Sequence, residues 1–341
     1  MSSNIPWIEK YRPKQLNDVV YQNENINLLR NIVNNNNLPH LLLYGPPGTG
    51  KTTSILIAAN MLFGPKKMNE RVIELNASDD RGISVVRNKI MNFAKEKLGT
   101  PDPNYPSPPF KIIILDEADA MTKEAQSALK KIIEENSKIT RFCLICNYIT
   151  KIIDPIQSRC SKLRFKPIKP MLMINRLKYI AQQESVVLSD SFLNIITTNA
   201  EGDMRKAIMY LQNLKYLTKL YTSLDTNSIY KMANYVNPEK IKEILDVCFN
   251  KESNTIEIYD LVNNFWKCGY IIDNILETIQ EQIITNKQLI DNQKRMICSH
   301  VSQTNRNLIN GADEFLQLFN LFIYIKCIYY SININDSIDV F

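Results

Sequence analysis

No run of eighteen apolar residues occurs in the 341-residue sequence, so a helix long enough to span a bilayer is not expected. The N-terminal stretch MSSNIPWIEKYRPK lacks the apolar h-region of a secretory leader. The seven cysteines are scattered, and none falls into a paired zinc spacing. Cys143 and Cys146 do have CxxC spacing, but they lie within Phe142-Cys143-Leu144-Ile145-Cys146, which reads as a buried strand. Buried thiols in a reducing compartment are therefore the expectation. Strong charge is also missing: a formal charge of +6 permits an anionic partner without demanding one. Together these absences predict a soluble, intracellular protein of the cytosol or nucleus.

What is present is length and apolar content. With 341 residues the chain exceeds one compact core, and 45% hydrophobic residues suffice to fill two or three. The first half alternates strand and helix signals: HLLLYG (40–45), a helical stretch from Lys51 to about Phe63, RVIELNA (71–77), and FKIIILDEADA (110–120). A helix over Ala118–Glu135 and the strand TRFCLICN (140–147) follow. Such alternation predicts a parallel sheet covered by helices on both faces. Ile83, Val86, Ile90 and Phe93 fall at helical spacing between two of the strands. The two prolines of KPIKP (166–170) should break any element and mark a domain boundary. Beyond them the pattern is helical: Leu172–Glu184, Ser191–Ala200 and Asp203–Leu217, with Ser189 and Gly202 as boundary residues. A turn near Asn234–Pro238 then opens a longer all-helical tail. The expected division is 1–166, 167–234 and 235–341.

The strongest chemical signal is YGPPGTGKTT. Gly45-Pro46-Pro47-Gly48-Thr49-Gly50-Lys51-Thr52 is a full Walker A pattern between a predicted strand and a predicted helix, with Thr53 next. Glycines let successive N–H groups turn toward phosphates, and the following helix adds its positive end. Lys51 would neutralise the β- and γ-phosphates, and Thr52 would offer its hydroxyl to Mg²⁺. KIIILDEADA places Asp116 and Glu117 at the end of a buried strand, where Asp116 suits a Mg²⁺ partner and Glu117 a water-orienting base. Alone the pair reads equally as a surface acidic cluster. Beside a Walker A it favours hydrolysis over kinase-type transfer. Asn147, closing the next strand, is either a turn amide or a ligand of the γ-phosphate or the lytic water.

These motifs, in their order and spacing, resemble the small subunits of replication factor C, the AAA+ sliding-clamp loader. The resemblance rests on PWIEKYRP (6–13), GPPGTGKT, LNASDDRGI (75–83), LDEAD (115–119), Ser158-Arg159-Cys160 and GDMRKAI (202–208). The wording RFCLICNY and SRCSKLRFKP looks most like the small subunit at the fourth position of the five-subunit spiral. The resemblance implies an α/β P-loop AAA+ domain, a three-helix lid and an all-α collar that joins subunits into a hetero-pentamer. It implies that Tyr11, Arg12 and Pro13 line the base of ATP, with Val19 or Val20 nearby, although EKYRPK alone reads as an ordered arm. It further implies that Arg205 reaches the γ-phosphate, where a lone helical Arg is otherwise a solvated face. Arg81 and Arg87, on a helix that tracks primer–template DNA, would contact phosphates without reading bases. Arg159 would act in trans, at a neighbour's γ-phosphate, rather than cap a helix in its own chain. ATP, Mg²⁺, the other replication factor C subunits, the sliding clamp (PCNA), primer–template DNA and a nuclear location follow from the same resemblance. Two other readings remain at this point: a structural ring member with an inert site, and a different AAA+ motor, for which a winged-helix module should follow the lid.

Overall fold

The alternation of the first half is realised as five strands: β1 (Leu41–Tyr44), β2 (Val72–Asn76), β3 (Lys111–Asp116), β4 (Thr140–Cys146) and β5 (Ser161–Arg164). The computed structural model describes residues 5–77, 89–94, 98–186, 190–220, 230 and 236–335. The strands pair in the order β2-β3-β4-β1-β5, all parallel, with Leu43 opposite both Ile145 and Leu163 and Leu115 opposite Leu144 and Leu75. Ile112 to Leu115 are fully buried, as a central parallel strand covered on both faces requires. Successive side chains then go to opposite layers. Ile112 and Ile114 pack with Leu41, Leu43 and Ile55, while Ile113 and Leu115 pack with Leu42, Leu129 and Phe142.

The covering helices are α1 (Trp7–Lys10), α2 (Asn23–Asn34), α3 (Lys51–Arg71), α4 (Lys123–Asn136) and the short α5 (Asp154–Gln157). The first stretch of helix α3 ends at Phe63, as expected, where Gly64 leaves the helical region (φ 72°, ψ 161°), and a further helical stretch resumes from Pro65. A Cβ at Gly64 would also lie 2.4 Å from the Tyr105 ring, so glycine is required twice over. The helix expected from Ala118 instead begins at Lys123, after a 3₁₀ turn at Ala118–Ala120. The turn that left-handed Glu117 opens (φ 54°, ψ 36°) is ended by extended backbone at Met121 (φ −69°, ψ 140°), and Thr122 caps the later helix, its hydroxyl accepting the Ala125 N–H at 3.3 Å.

Three helices follow the sheet: α6 (Pro170–Gln183), α7 (Asp190–Ala200) and α8 (Met204–Leu220). KPIKP carries no helix or strand before Pro170, which is the first residue of α6, where its missing N–H would have had no partner in any case. Asp203 opens α8, its Oδ1 accepting the N–H groups of Arg205 at 2.8 Å and Lys206 at 3.2 Å. The chain divides into two compact units, Met1–Lys215 and Tyr216–Phe341.

The second unit contains α9 (Pro238–Cys248), α10 (Thr255–Trp266), α11 (Ile272–Thr285), α12 (Asp291–Ile309) and α13 (Glu314–Asn335). Asn237 caps α9 through its side chain, accepting the Glu239 N–H at 3.0 Å. Ile241, Val262, Ile279, Ile297, Leu321 and Phe322 lie in its core. Among the described residues no strand follows Arg164, and no helix is long and apolar enough to cross a membrane. Among them, too, no group of three His, Cys, Asp or Glu side chains could hold a metal ion.

Candidate active site

Because β1, β4 and β3 are parallel neighbours, their C-terminal ends open on one edge of the sheet. The loop after β1 carries Gly45–Gly50, the loop after β4 begins with Asn147, and β3 ends at Asp116. Lys51, first residue of α3 and only 7% exposed, ties these ends together. Its ammonium donates to the carbonyls of Gly45 (2.7 Å) and Pro46 (2.8 Å) and to Asn147 Oδ1 (3.0 Å), one acceptor for each N–H. Burial pulls the Lys51 ammonium down to about 8; Asp116 opposes that pull and Arg205 adds to it.

Thr52 donates its hydroxyl to Asp116 Oδ2 at 2.7 Å, and Asp116 Oδ1 accepts the Glu117 N–H at 2.8 Å. The Glu117 side chain is exposed at the mouth of the site. Left-handed backbone at a non-glycine residue costs roughly 1–2 kcal/mol and concentrates at functional sites. Thr49 is buried, its hydroxyl donating to the Pro46 carbonyl at 2.9 Å, while Pro47 is exposed on the loop. Gly48 and Gly50 have φ of 65° and 94°, and Gly50 caps α3 so that the first-turn N–H groups face the loop.

Next to this loop lies a cleft lined by Tyr11, Arg12, Pro13, Val19, Val20 and Thr53, with Arg205 and Ile208 of α8 also on its wall. Arg12 Nε donates to Thr53 Oγ1 at 3.3 Å. Every residue expected for ATP binding thus lies either in the phosphate loop, at the sheet edge or on this cleft. Arg81 and Arg87 fall outside the described residues. Cys143 and Cys146 are each 1% exposed strand residues, and burial pushes the Cys146 thiol up to about 12.

Three contributors are not legible in the sequence. Asp119 Oδ2 accepts the N–H groups of Asn147 and Tyr148, both at 3.2 Å, and so fixes the amide that meets Lys51. Asp203 brings the α8 end against the phosphate loop: the Met204 N–H donates to the Gly48 carbonyl at 3.3 Å, and a Cβ on Gly48 would lie 1.7 Å from Asp203 Oδ1. Only glycine fits there. Arg176 of α6 donates to the Tyr11 carbonyl at 3.1 Å. The last D of LDEAD and the D of GDMRKAI are visible as motif letters, but no local pattern gives their partners.

Arg159 has partners in its own chain. Its Nη2 lies 2.6 Å from Glu134 Oε1 on α4, and Nη1 donates to the Pro155 carbonyl at 2.7 Å.

The donor set fits a magnesium nucleotide. Glycines and a helix N-terminus suit phosphate oxygens, Thr52 with Asp116 suits a hard cation, and the half-apolar cleft suits a planar base. Residues 41–168 match the ATPase family associated with various cellular activities (AAA), 175–215 the RCF1/5-like AAA+ ATPase lid domain, and 236–324 the replication factor C C-terminal domain. The chain is 44% identical to replication factor C subunit 2 of Schizosaccharomyces pombe over 318 residues, 93% of each chain. It is 43% identical to human replication factor C subunit 4, covering 93% of this chain and 86% of that one. Thermotoga maritima RuvB, a Holliday junction branch migration motor, shares the fold at 18% identity and a TM-score of 0.52, over 69% of this chain and 78% of its own. Whole-length likeness at that level of identity, with all three regions matched in order, leaves one assignment: the chain belongs to the replication factor C family and is an ATP-hydrolysing AAA+ subunit of the clamp loader.

Proposed function

We propose that this subunit works in a hetero-pentamer in the nucleus, where ATP binding engages the sliding clamp (PCNA) and primer–template DNA and hydrolysis releases the loaded clamp. One observation carries the reading. Lys51, the Thr52–Asp116 pair, Glu117 and Asn147 converge from separate chain segments on one sheet edge, beside a cleft suited to a base. In this reading Gly45–Gly50 and the first turn of α3 cradle the phosphates, and Lys51 pairs with the β- and γ-oxygens. Thr52, backed by Asp116, would hold Mg²⁺, which when bound neutralises charge on the transferring phosphoryl group. Glu117 orients the attacking water, Asn147 and Arg205 hold the γ-phosphate end, and Tyr11, Arg12, Pro13, Val19 and Val20 enclose the base beside Thr53. Arg159 serves the neighbouring subunit's site, and Arg81 and Arg87 meet the DNA backbone. Residues 1–166 form the nucleotide domain, 167–234 the lid and 235–341 the collar that joins the ring.

The test is an ATPase series: the isolated chain, then the chain with its companion subunits, then with clamp and primed DNA. Hydrolysis is expected to rise at each addition. A full rate from the isolated chain would sink the proposal.

The backbone of Glu117 gives a second expectation. Asparagine tolerates the left-handed region better than glutamate. Glu117→Asn should therefore abolish hydrolysis while raising stability by roughly 1 kcal/mol, a Tm gain of about 2–4 °C for a unit of this size. Thermal melting and ATPase assays on the same preparation check both halves. A lowered Tm would mean that the glutamate side chain itself stabilises this turn.

A further inference from the structure

Glu184, just past the end of α6, is a hub that the site described above does not use. Its side chain is only 8% exposed, yet it accepts from three donors on two separate segments. Lys10 Nζ and the Tyr11 hydroxyl (2.6 Å) come from the N-terminal arm, and Lys215 Nζ (2.7 Å) comes from α8. Burial pushes this carboxyl up, but Lys10, Lys215 and Tyr11 outweigh it and hold the group at about 2, so it stays ionised.

The contacts around it run the same way. The Trp7 N–H donates to Gln212 Oε1 of α8 at 2.9 Å, Lys215 Nζ lies 5.2 Å from the Trp7 ring centre, and Arg176 of α6 holds the Tyr11 carbonyl. In the other direction, Arg12–Thr53 links the arm to the phosphate-loop helix at 3.3 Å. The arm that forms one wall of the cleft is therefore bound chiefly to α6 and α8, and α8 also carries Arg205.

We propose that Glu184 is a positioning residue that fastens the arm Trp7–Pro13 to α6 and α8, so that the base end and the γ-phosphate end of the nucleotide site move as one body. This rests on the nucleotide-site reading above. Its consequence is a coupling: gripping the base stabilises the same docked arrangement that presents Arg205, and reciprocally. A ligand without a base reaches the arm only through Arg205, so it gains less from the docked arrangement.

The experiment uses the full chain with Trp266→Phe, which leaves Trp7 as its one tryptophan. Binding of Mg·ATP and of magnesium inorganic triphosphate is measured by calorimetry, with acrylamide quenching of Trp7 alongside. Glu184→Gln keeps the shape but removes the charge that three donors share. It is expected to weaken ATP binding roughly tenfold, the scale of a charge-assisted hydrogen bond. Triphosphate binding should weaken clearly less, and Trp7, 6% exposed in the docked arm, should become more quenchable. Tyr11→Phe, which deletes one donor and little volume, should shift the same readouts in the same direction by less, and it replaces Glu184→Gln should that variant fail to fold. Unchanged ATP affinity with Trp7 still shielded overturns the inference, and so does an equal loss for ATP and triphosphate. If the unmutated chain binds neither ligand, the nucleotide-site reading falls first and takes this inference with it.

Discussion

Lys51→Ala in the assembled complex is expected to cut hydrolysis at this site by at least roughly 10²–10³-fold, the scale for removing one preorganised electrostatic contact. The loss is not only of charge. Without the ammonium, the Gly45 and Pro46 carbonyls and the Asn147 amide lose their common donor, so the two loops it joins lose their link. The same residue predicts a pH dependence. A Lys51 ammonium at about 8 is depressed from its ordinary 10.5, so between those values the nucleotide-free fold binds fewer protons than the unfolded chain. The penalty of burying the charge is then fully present below pH 8, and stability of the nucleotide-free protein rises as pH climbs from 8 toward 10.5. Phosphate oxygens restore the ammonium, so ATP binding takes up a proton in that window and affinity falls as pH rises through it. The phosphates of ATP have finished titrating by then, which isolates the lysine. Calorimetric titrations at several pH values check this. A flat affinity from about pH 7.5 to 9.5, or a slope that survives Lys51→Ala, would show that Lys51 is not the titrating group.

Arg159→Ala is expected to leave this subunit's own ATP affinity nearly intact while slowing hydrolysis at a neighbouring site. Arginines supplied in trans to a transferring phosphoryl group are worth roughly 10³–10⁵ in rate. In this chain its guanidinium contacts Glu134 and the Pro155 carbonyl. The clean measurement is a complex in which only the neighbour's site is competent, compared with and without the substitution. If the variant instead lost its own ATP binding and spared the neighbour, the interface reading would be wrong.

What the sequence makes legible depends on range. The phosphate loop, β3 and β4 are readable because each is a contiguous pattern whose chemistry sits within a few residues. The order β2-β3-β4-β1-β5 is not readable residue by residue, yet it is what brings Asn147 to Lys51, 96 positions away. Helix boundaries fail where backbone conformation overrides pattern. Extended backbone at Met121 and Thr122 delays α4, whereas the helix expected to end near Phe63 does leave the helical region at Gly64 before a further stretch resumes. Asp119, Asp203 and Glu184 escape for a single reason: each acts on a partner brought to it by folding, and an isolated acidic letter has no period. The winged-helix alternative fails because α9–α13 are all helical and no strand follows Arg164 among the described residues.

The Arg159–Glu134 pair makes ring assembly, on the trans reading, an exchange reaction. Both side chains are partly in water, 37% and 42% exposed, where such pairs contribute about 0–1 kcal/mol. Moving Arg159 onto a neighbour's phosphates thus gives up little, against a barrier reduction of about 4–7 kcal/mol for a roughly 10³–10⁵ rate gain. Lys130, 3.9 Å from Glu134, is in place to take over the vacated carboxylate. On that reading the free subunit would hold its neighbour's reagent on loan, in a contact weak enough to surrender.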